Sequence, residues 1–432
     1  MAFTLSDWSD LDPVDRAHRR AEALDRARAS THGDWTALAD GADTGAPDTG
    51  PLAGIPFSVK DNIDVEGFAT TGGSALLDPA PAAVDATVVS LLRAAGAVVV
   101  GKANLHELAF GITSDNHHTG AVRNPVDPTR SAGGSSGGSA ASVALGVVPF
   151  SLGTDTGGSV TIPSSFCGIA GFRPSTGRYP GDGVANLSTS RDTIGLHART
   201  VADLRAIDRV ITCDLPVRAG LAGLRVGLPT SRFVDLDPEV DRVVRAVLSA
   251  LEGAGAVPVE VDLGDDLEIA SGPGNDLVFH EAPRLLARRT DVPFEHWPEH
   301  IASPDVRTTF ERLRDTPTTV SAYYEARAAR QRLRRAYSDV FSRVDVVFGP
   351  TSPVPAPPLG QNSTITHNGH SVPAFGTVTR TIGPGTVAGL PMLTVPAGTT
   401  AAGLPVGVCL EAGAFHDPFL LAVGAALEDL LG

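Results

Sequence analysis

A wholly apolar run, Ala97–Val100, follows at once on a helical pattern that Gly96 ends. In that pattern Val88, Val89, Leu91 and Leu92 recur at helical spacing, and Asp85 stands where a cap is expected. A helix handing over directly to a short buried strand is the signature of α/β architecture. The same alternation continues down the chain. Thr200 and Asp203 predict a capping box ahead of Leu204, Ile207, Val210 and Ile211. Asp237 and Pro238 open a helix with Val240, Val243, Val244, Val247, Leu248 and Leu251 on one face, and a strand follows at 256–261. VDVVFGP and MLTVP read as buried strands, and LLAVGAALEDLL reads as a closing helix.

The remaining segments fit around this core. Residues 1–50 read as a peripheral segment with a helix opening at Asp12 and Pro13, and 40–52 as a turn-rich link. Residues 262–343 are polar and helical, the expected variable section. With no low-complexity linker and no fixed repeat, one continuous domain over 51–432 is the economical reading; a split near residue 215 is the alternative. An apolar content of 42% fits a globular chain, and a net charge of −15 argues against nucleic-acid or anionic-membrane partners. Three scattered cysteines supply neither a disulfide framework nor a cysteine-based zinc site. No apolar run of about eighteen residues is present, and the acidic start is unlike a signal peptide, so a cytoplasmic location is expected.

Lys60 and Lys102 are the only lysines among 34 positively charged side chains. Arginine stays protonated, whereas a desolvated lysine can lose its proton and act as a base. Lys60 sits in GIPFSVKDN; Ser135 follows in SAGGSSGGS and Ser159 in GTDTGGS. A deprotonatable lysine and two serines in glycine-lined turns are the parts of a Ser-Ser-Lys acyl-transfer site. Glycines beside a reacting serine let N–H groups converge on an oxyanion. Core-like sequence on both sides argues against GGSSGGS being a linker.

Other chemistries fit less well. GAVVVGK begins like a phosphate-binding loop, but Ala103 replaces the Ser or Thr and the interior is strand-like; Lys102 then reads as structural. Histidine-based triads have candidates in His106, His117 and His118, yet no G-x-S-x-G elbow is present. Neither H-E-x-x-H nor S-x-x-K appears at these serines. Cys167 and Phe166 read as core, and Asp61 and Asn62 as groups orienting the Lys60 segment.

GIPFSVKDN, GKANLHELAFG, AGGSSGGSAASVALGVVPFSLGTDTGGS, SSFCGIAGFRPSTGR, RDTIGLHARTVADL and AGLPMLTVPAG…GLPVGV together resemble the amidase signature family, over residues 51–214 and again over 344–430. HELAFGITSDNHHTGAVRNP and GFRPSTGR are most similar to its indoleacetamide and mandelamide hydrolase branch. The resemblance implies one α/β/α domain around a large twisted mixed β-sheet, with core sections 51–214 and 344–432. It implies Lys60 as base, Ser135 as bridging serine held by a cis peptide bond, and Ser159 as nucleophile. It further implies an oxyanion hole from the N–H groups of Thr156, Gly157, Gly158 and Ser159, supported by Asp155 and Ser136. Ala109, Phe110, Gly111 and Ile112, with Ser135, are expected at the substrate; the rest of the loop to His118, Tyr179–Asn186 and the helical section are expected to line the acyl pocket. No metal or cofactor is implied. Thr161 departs from the family, whose arginine at that place supports the turn through the residue matching Asp155; either another cation reaches Asp155 or the turn is held differently.

The expected activity is hydrolysis of small primary amides, of arylacetamide type, through an acyl-enzyme. A glutaminase subunit of a tRNA-dependent amidotransferase is the alternative, as is a weakened relative acting on esters, hydrazides or carbamates. The expected partner is a small-molecule amide, with a homodimer left open.

Overall fold

The computed structural model of the chain describes residues 4–41 and 49–432. The expected link at 40–52 therefore lies in large part outside the described residues. The alternating pattern resolves into strands β1 (Trp35–Leu38), β2 (Pro56–Lys60), β3 (Val98–Ala103), β4 (Phe150–Asp155), β5 (Ala170–Arg173), β6 (Thr193–Ala198), β7 (Arg225–Pro229), β8 (Val257–Val261), β9 (Val346–Pro350), β10 (Met392–Thr399) and β11 (Pro405–Glu411). They form one 11-stranded sheet in the order β1-β3-β2-β4-β6-β5-β10-β11-β9-β7-β8. The sheet is mixed. β2 runs parallel to β3 and to β4; the middle pairs are antiparallel; β9, β7 and β8 are parallel again.

Strand side chains alternate between faces, and here the two faces have different jobs. Phe57 and Val59 of β2, with Phe150 and Leu152 of β4, join the largest apolar core. That core is completed by α2 (Thr87–Ala94), α5 (Val201–Thr212), α6 (Pro238–Gly253) and α10 (Asp417–Leu431). Phe57 stacks on Phe150 with centroids 5.1 Å apart, worth about 0.5–1.5 kcal/mol beyond the area buried. The opposite face carries α3 (Gly137–Ala144) and α4 (Thr161–Cys167), whose Ala140, Ala141, Val143, Ile162, Phe166 and Cys167 are buried. Helices thus cover both faces of the sheet, the α/β/α arrangement the resemblance implied.

Three local expectations change. Asp85 does not cap α2, which starts after Ala86 with no side-chain cap. Its carboxylate instead accepts the Glu66 N–H at 2.8 Å and pairs with Arg93 at 3.0 Å. Thr200 does cap α5, accepting the Asp203 N–H at 3.1 Å, but Asp203 does not close the box; it accepts the Leu5 N–H at 3.1 Å. The first residues are correspondingly well integrated. Leu5 and Trp8 are buried in the largest core, and β1, which follows α1 (Pro13–Ala29), pairs with β3 at the sheet edge.

The polar section 262–343 contains α7 (Pro273–Leu286), α8 (Pro304–Asp315) and α9 (Val320–Phe341). Val278, Ala282 and Leu286 of α7 and Val306, Phe310 and Leu313 of α8 build a smaller core with Trp297, Leu105, Leu108 and Ala109. The loop after β3 is thereby clamped beneath these helices.

Candidate active site

Lys60 ends β2, and Asp155 ends the parallel neighbour β4, so both stand at the carboxyl edge of parallel strands, the usual place for ligands in such sheets. Ser58 and Lys60 point away from the large core. Ser58 Oγ donates to Ser151 Oγ of β4 at 2.6 Å and lies 2.9 Å from Ser142 Oγ of α3. This buried hydroxyl layer seats α3 on the sheet. The helix approaches so closely that a Cβ on Gly138 would lie 2.5 Å from the carbonyl oxygens of Asn104 and Asp34. That packing explains the second glycine pair of SAGGSSGGS. The Gly134–Ser135 peptide is cis, as the resemblance implied.

Ser135, just before α3, reaches Lys60: Nζ lies 2.8 Å from Ser135 Oγ and 2.8 Å from Thr154 Oγ1. Asn62 Nδ2 donates to the same Thr154 Oγ1 at 3.1 Å and holds it in place. Ser136 Oγ donates to the Thr154 carbonyl at 3.1 Å, while Ser136 N–H donates to the Ser159 carbonyl at 3.2 Å. The two glycine-serine segments are therefore sewn to each other and to the end of β4. Lys60 is fully buried, and burial lowers its pKa from 10.5 to about 7, against the opposing pull of Asp155 and Asp192. The amine is thus poised to be neutral near neutrality.

Asp155 organises the turn that carries Ser159. Its Oδ1 accepts the Gly158 N–H at 2.9 Å and its Oδ2 the Val160 N–H at 2.7 Å. Gly158 has φ +107, and a Cβ there would collide with Ile382 Cδ1. Arg173 Nε, also fully buried, lies 3.3 Å from Asp155 Oδ1. This is the other cation that Thr161 called for. One expectation is corrected: the single proton of the Gly158 N–H is given to Asp155, so Gly158 leaves the expected set of oxyanion donors. Thr156, Gly157 and Ser159 face the open cavity, and Gly158 is not among its lining residues.

The cavity above this turn has a volume of about 300 Å³. Ala109, Phe110, Gly111 and Ile112 line it, as expected, and Phe279, Val278 and Asn275 of α7 with Asp305 and Thr309 of α8 add the helical wall. The segment Tyr179–Asn186 does not contribute; the next residue, Leu187, does. Tyr179 is buried instead, with its hydroxyl donating to Asp208 at 2.7 Å. Ser135, expected at the substrate, is not among the residues lining the cavity; its hydroxyl meets Lys60 instead.

Similarity to known proteins follows the same lines. A family profile described as Amidase matches residues 13–421. The chain belongs to the amidase signature family. Indoleacetamide hydrolase of Agrobacterium vitis is 39% identical to it over 440 residues, spanning 98% of this chain and 94% of the relative. Mandelamide hydrolase of Pseudomonas putida is 38% identical over 407 residues, spanning 88% of this chain and 79% of the relative. A crystal structure described as an amidase superposes with a TM-score of 0.86 at 34% identity, covering 96% of each chain. The protein is an amide-hydrolysing enzyme.

Within the amidase, several site residues escaped sequence reasoning. Thr154 and Arg173 bind the lysine and the turn through sheet neighbours that only strand pairing brings close. Arg191, Asn362, Ser363, Pro373 and Phe375 reach the cavity from segments distant in sequence, and their residue types carry no signal of it. His106, a triad candidate, is buried with Nε2 3.0 Å from Asp305 and Nδ1 accepting the Ser114 N–H at 3.2 Å. It braces the cavity loop. His117 and His118 are exposed. Lys102 is buried and pairs with Asp61 at 3.0 Å, so Asp61 serves the structural lysine, not Lys60. Among the described residues, no three His, Cys, Asp or Glu side chains cluster as a metal site, and no helix is long and apolar enough to cross a membrane.

Proposed function

We propose that the amidase hydrolyses small primary amides with an arylacetamide-type acyl group, using Lys60, Ser135 and Ser159 in a proton relay. The observation that carries this reading is the buried Lys60 amine, with a pKa near 7, 2.8 Å from Ser135 Oγ. As the neutral amine it accepts the Ser135 proton while Thr154 Oγ1 and the Thr154 carbonyl stay within its reach as acceptors. Ser135 in turn takes the proton of Ser159, whose Oγ attacks the amide carbonyl. The N–H groups of Thr156, Gly157 and Ser159 stabilise the oxyanion. Collapse returns the proton to the leaving amine, and water then cleaves the acyl-enzyme through the same relay.

The substrate class follows from the walls. Phe110, Phe279, Phe375, Val278, Leu187 and Ile112 offer apolar and aromatic surface in about 300 Å³, the low end of ligand-pocket sizes. A single aromatic acyl group suits that space, and the indoleacetamide and mandelamide hydrolases among its relatives act on amides of this kind by name. A hydrolysis panel of indoleacetamide, mandelamide, aliphatic amides and glutamine tests the class, with arylacetamides expected to lead. Labelling by a fluorophosphonate should occur at Ser159 and vanish in Ser159→Ala; a covalent adduct on another serine would remove Ser159 as nucleophile.

A further inference from the structure

Asp192, half-buried just before β6, is a carboxylate that the relay leaves unused. β4 and β6 pair antiparallel with Asp155 opposite Thr193. One step beyond that pair Thr156 meets Asp192, and Thr156 Oγ1 donates to Asp192 Oδ1 at 2.6 Å. The second oxygen, Oδ2, accepts the N–H groups of Leu187 and Ser188 at 2.7 and 2.9 Å. All three donors are neutral, and an ionised carboxylate, which only accepts, suits them all. These bonds join two parts of the site. Thr156 opens the turn of oxyanion donors, and Leu187 belongs to the cavity wall. Ser188 carries the link outward, its Oγ donating to Glu281 Oε2 of α7 at 2.6 Å.

With no cation among those donors, the charge of Asp192 reaches further. It acts on Lys60, Arg173 and Arg191. Arg191 itself donates elsewhere, to the Gly274 carbonyl at 2.6 Å and to Thr386 Oγ1 at 3.1 Å. Asp155 on β4 and Arg173 on β5 face the same cluster, paired at 3.3 Å. His197 on β6 stays neutral, because burial and the Lys60 charge push its pKa down to about 3. Arg330 of α9 acts on Arg191 and is offset by Glu281 of α7. Two guanidiniums thus balance two carboxylates when Lys60 is neutral. Burial raises the Asp192 pKa to about 6, below that of Lys60, so Asp192 is charged while the lysine titrates.

We infer that Asp192 is a positioning residue of the reaction, whose carboxylate ties the oxyanion turn to the cavity wall and whose charge favours the proton on Lys60 during the relay. This rests on the reading that Lys60 is the base and Thr156 an oxyanion donor. Without Asp192 the two guanidiniums outweigh Asp155, and the protonated amine is disfavoured.

The test reads the Lys60 proton directly and through turnover of phenylacetamide. Because Lys60 and Lys102 are the only lysines, isotope-labelled lysine gives one NMR signal from each, and Lys60→Met identifies them. In the native enzyme the Lys60 signal should titrate near pH 7. Asp192→Asn keeps the shape and removes the charge; its oxygen can accept both N–H groups while its amide nitrogen faces Thr156 Oγ1. There the Lys60 titration should move down by about one pH unit, and the acid limb of kcat/KM should move with it. Asp192→Ala should show the same shift and lose kcat about 10²-fold, the cost of a displaced reacting group, with KM changing far less. Thr156→Val should lower kcat without moving the limb, and Thr156→Ser should restore it. Should Asp192→Ala fail to fold, the Asp192→Asn and Thr156 variants still decide. A Lys60 titration unmoved in Asp192→Asn would overturn the inference, as would folded Asp192→Ala with native kcat. A Lys60 signal that moves while the acid limb stays would instead overturn Lys60 as the base, and with it this role for Asp192.

Discussion

Because burial holds the Lys60 pKa near 7, kcat/KM should rise through neutrality as the amine loses its proton. Below about pH 6 it should fall about tenfold per pH unit, the limb of a single essential base. A pH–rate profile checks this, and activity undiminished at pH 5 would contradict it. Lys60→Arg keeps the charge but cannot be deprotonated, so turnover should drop about 10²- to 10⁴-fold, the usual worth of a positioned base. The same residue governs stability. Between about pH 7 and 10.5 the unfolded chain carries a proton on Lys60 that the folded chain has released. Stability from this group therefore rises with pH across that window, is complete above it, and is lost as pH falls to about 7. Lys60→Met removes the term. The stability of the variant relative to the native enzyme, from urea unfolding, should decline by on the order of 4 kcal/mol between pH 6 and pH 10. A pH-independent difference would mean that Lys60 is not desolvated in solution.

The turn from Asp155 to α4 is where conformation and chemistry meet. Gly158→Ala would force a side chain into the left-handed region and against Ile382, costing more than about 1 kcal/mol and disordering the donors around Ser159; both melting temperature and kcat should fall. Arg173→Met would leave Asp155 buried beside no cation at its Oδ1, and breaking a buried pair costs about 3–5 kcal/mol. Residue types announced this element only in part. The glycines and serines of GTDTGGS marked a tight turn, and the family resemblance supplied the roles. That Asp155 would consume the Gly158 N–H was invisible, because a carboxylate beside a glycine turn has several N–H groups in range. The partner in Arg173 was equally hidden. It stands in the quoted stretch GFRPSTGR, but only the antiparallel chain of β4, β6 and β5 brings it under Asp155.

Most of the sheet could be anticipated, since runs such as VDVVFGP and MLTVP have no polar face to expose. The covering helices α5 and α6 followed from their spaced apolar residues. The order of the strands could not be read, because β2, β4 and β6 are neighbours only through long crossovers. Nor could the place of the first residues. Their polar helix hid the fact that Trp8 fills the main core at 2% exposure. Trp8→Ala should cost about 3–5 kcal/mol in a single cooperative transition while leaving kcat nearly intact, since its core lies on the sheet face turned away from Lys60. A separate early transition would instead mark residues 4–41 as an independent unit. Both lysines, Lys60 and Lys102, are 0% exposed, so every side-chain cation on the surface is a guanidinium or an imidazole. Amine-directed reagents consequently find no lysine ε-amino group at the surface of the folded enzyme, and acylation of either lysine clocks the openings, local or global, that expose it.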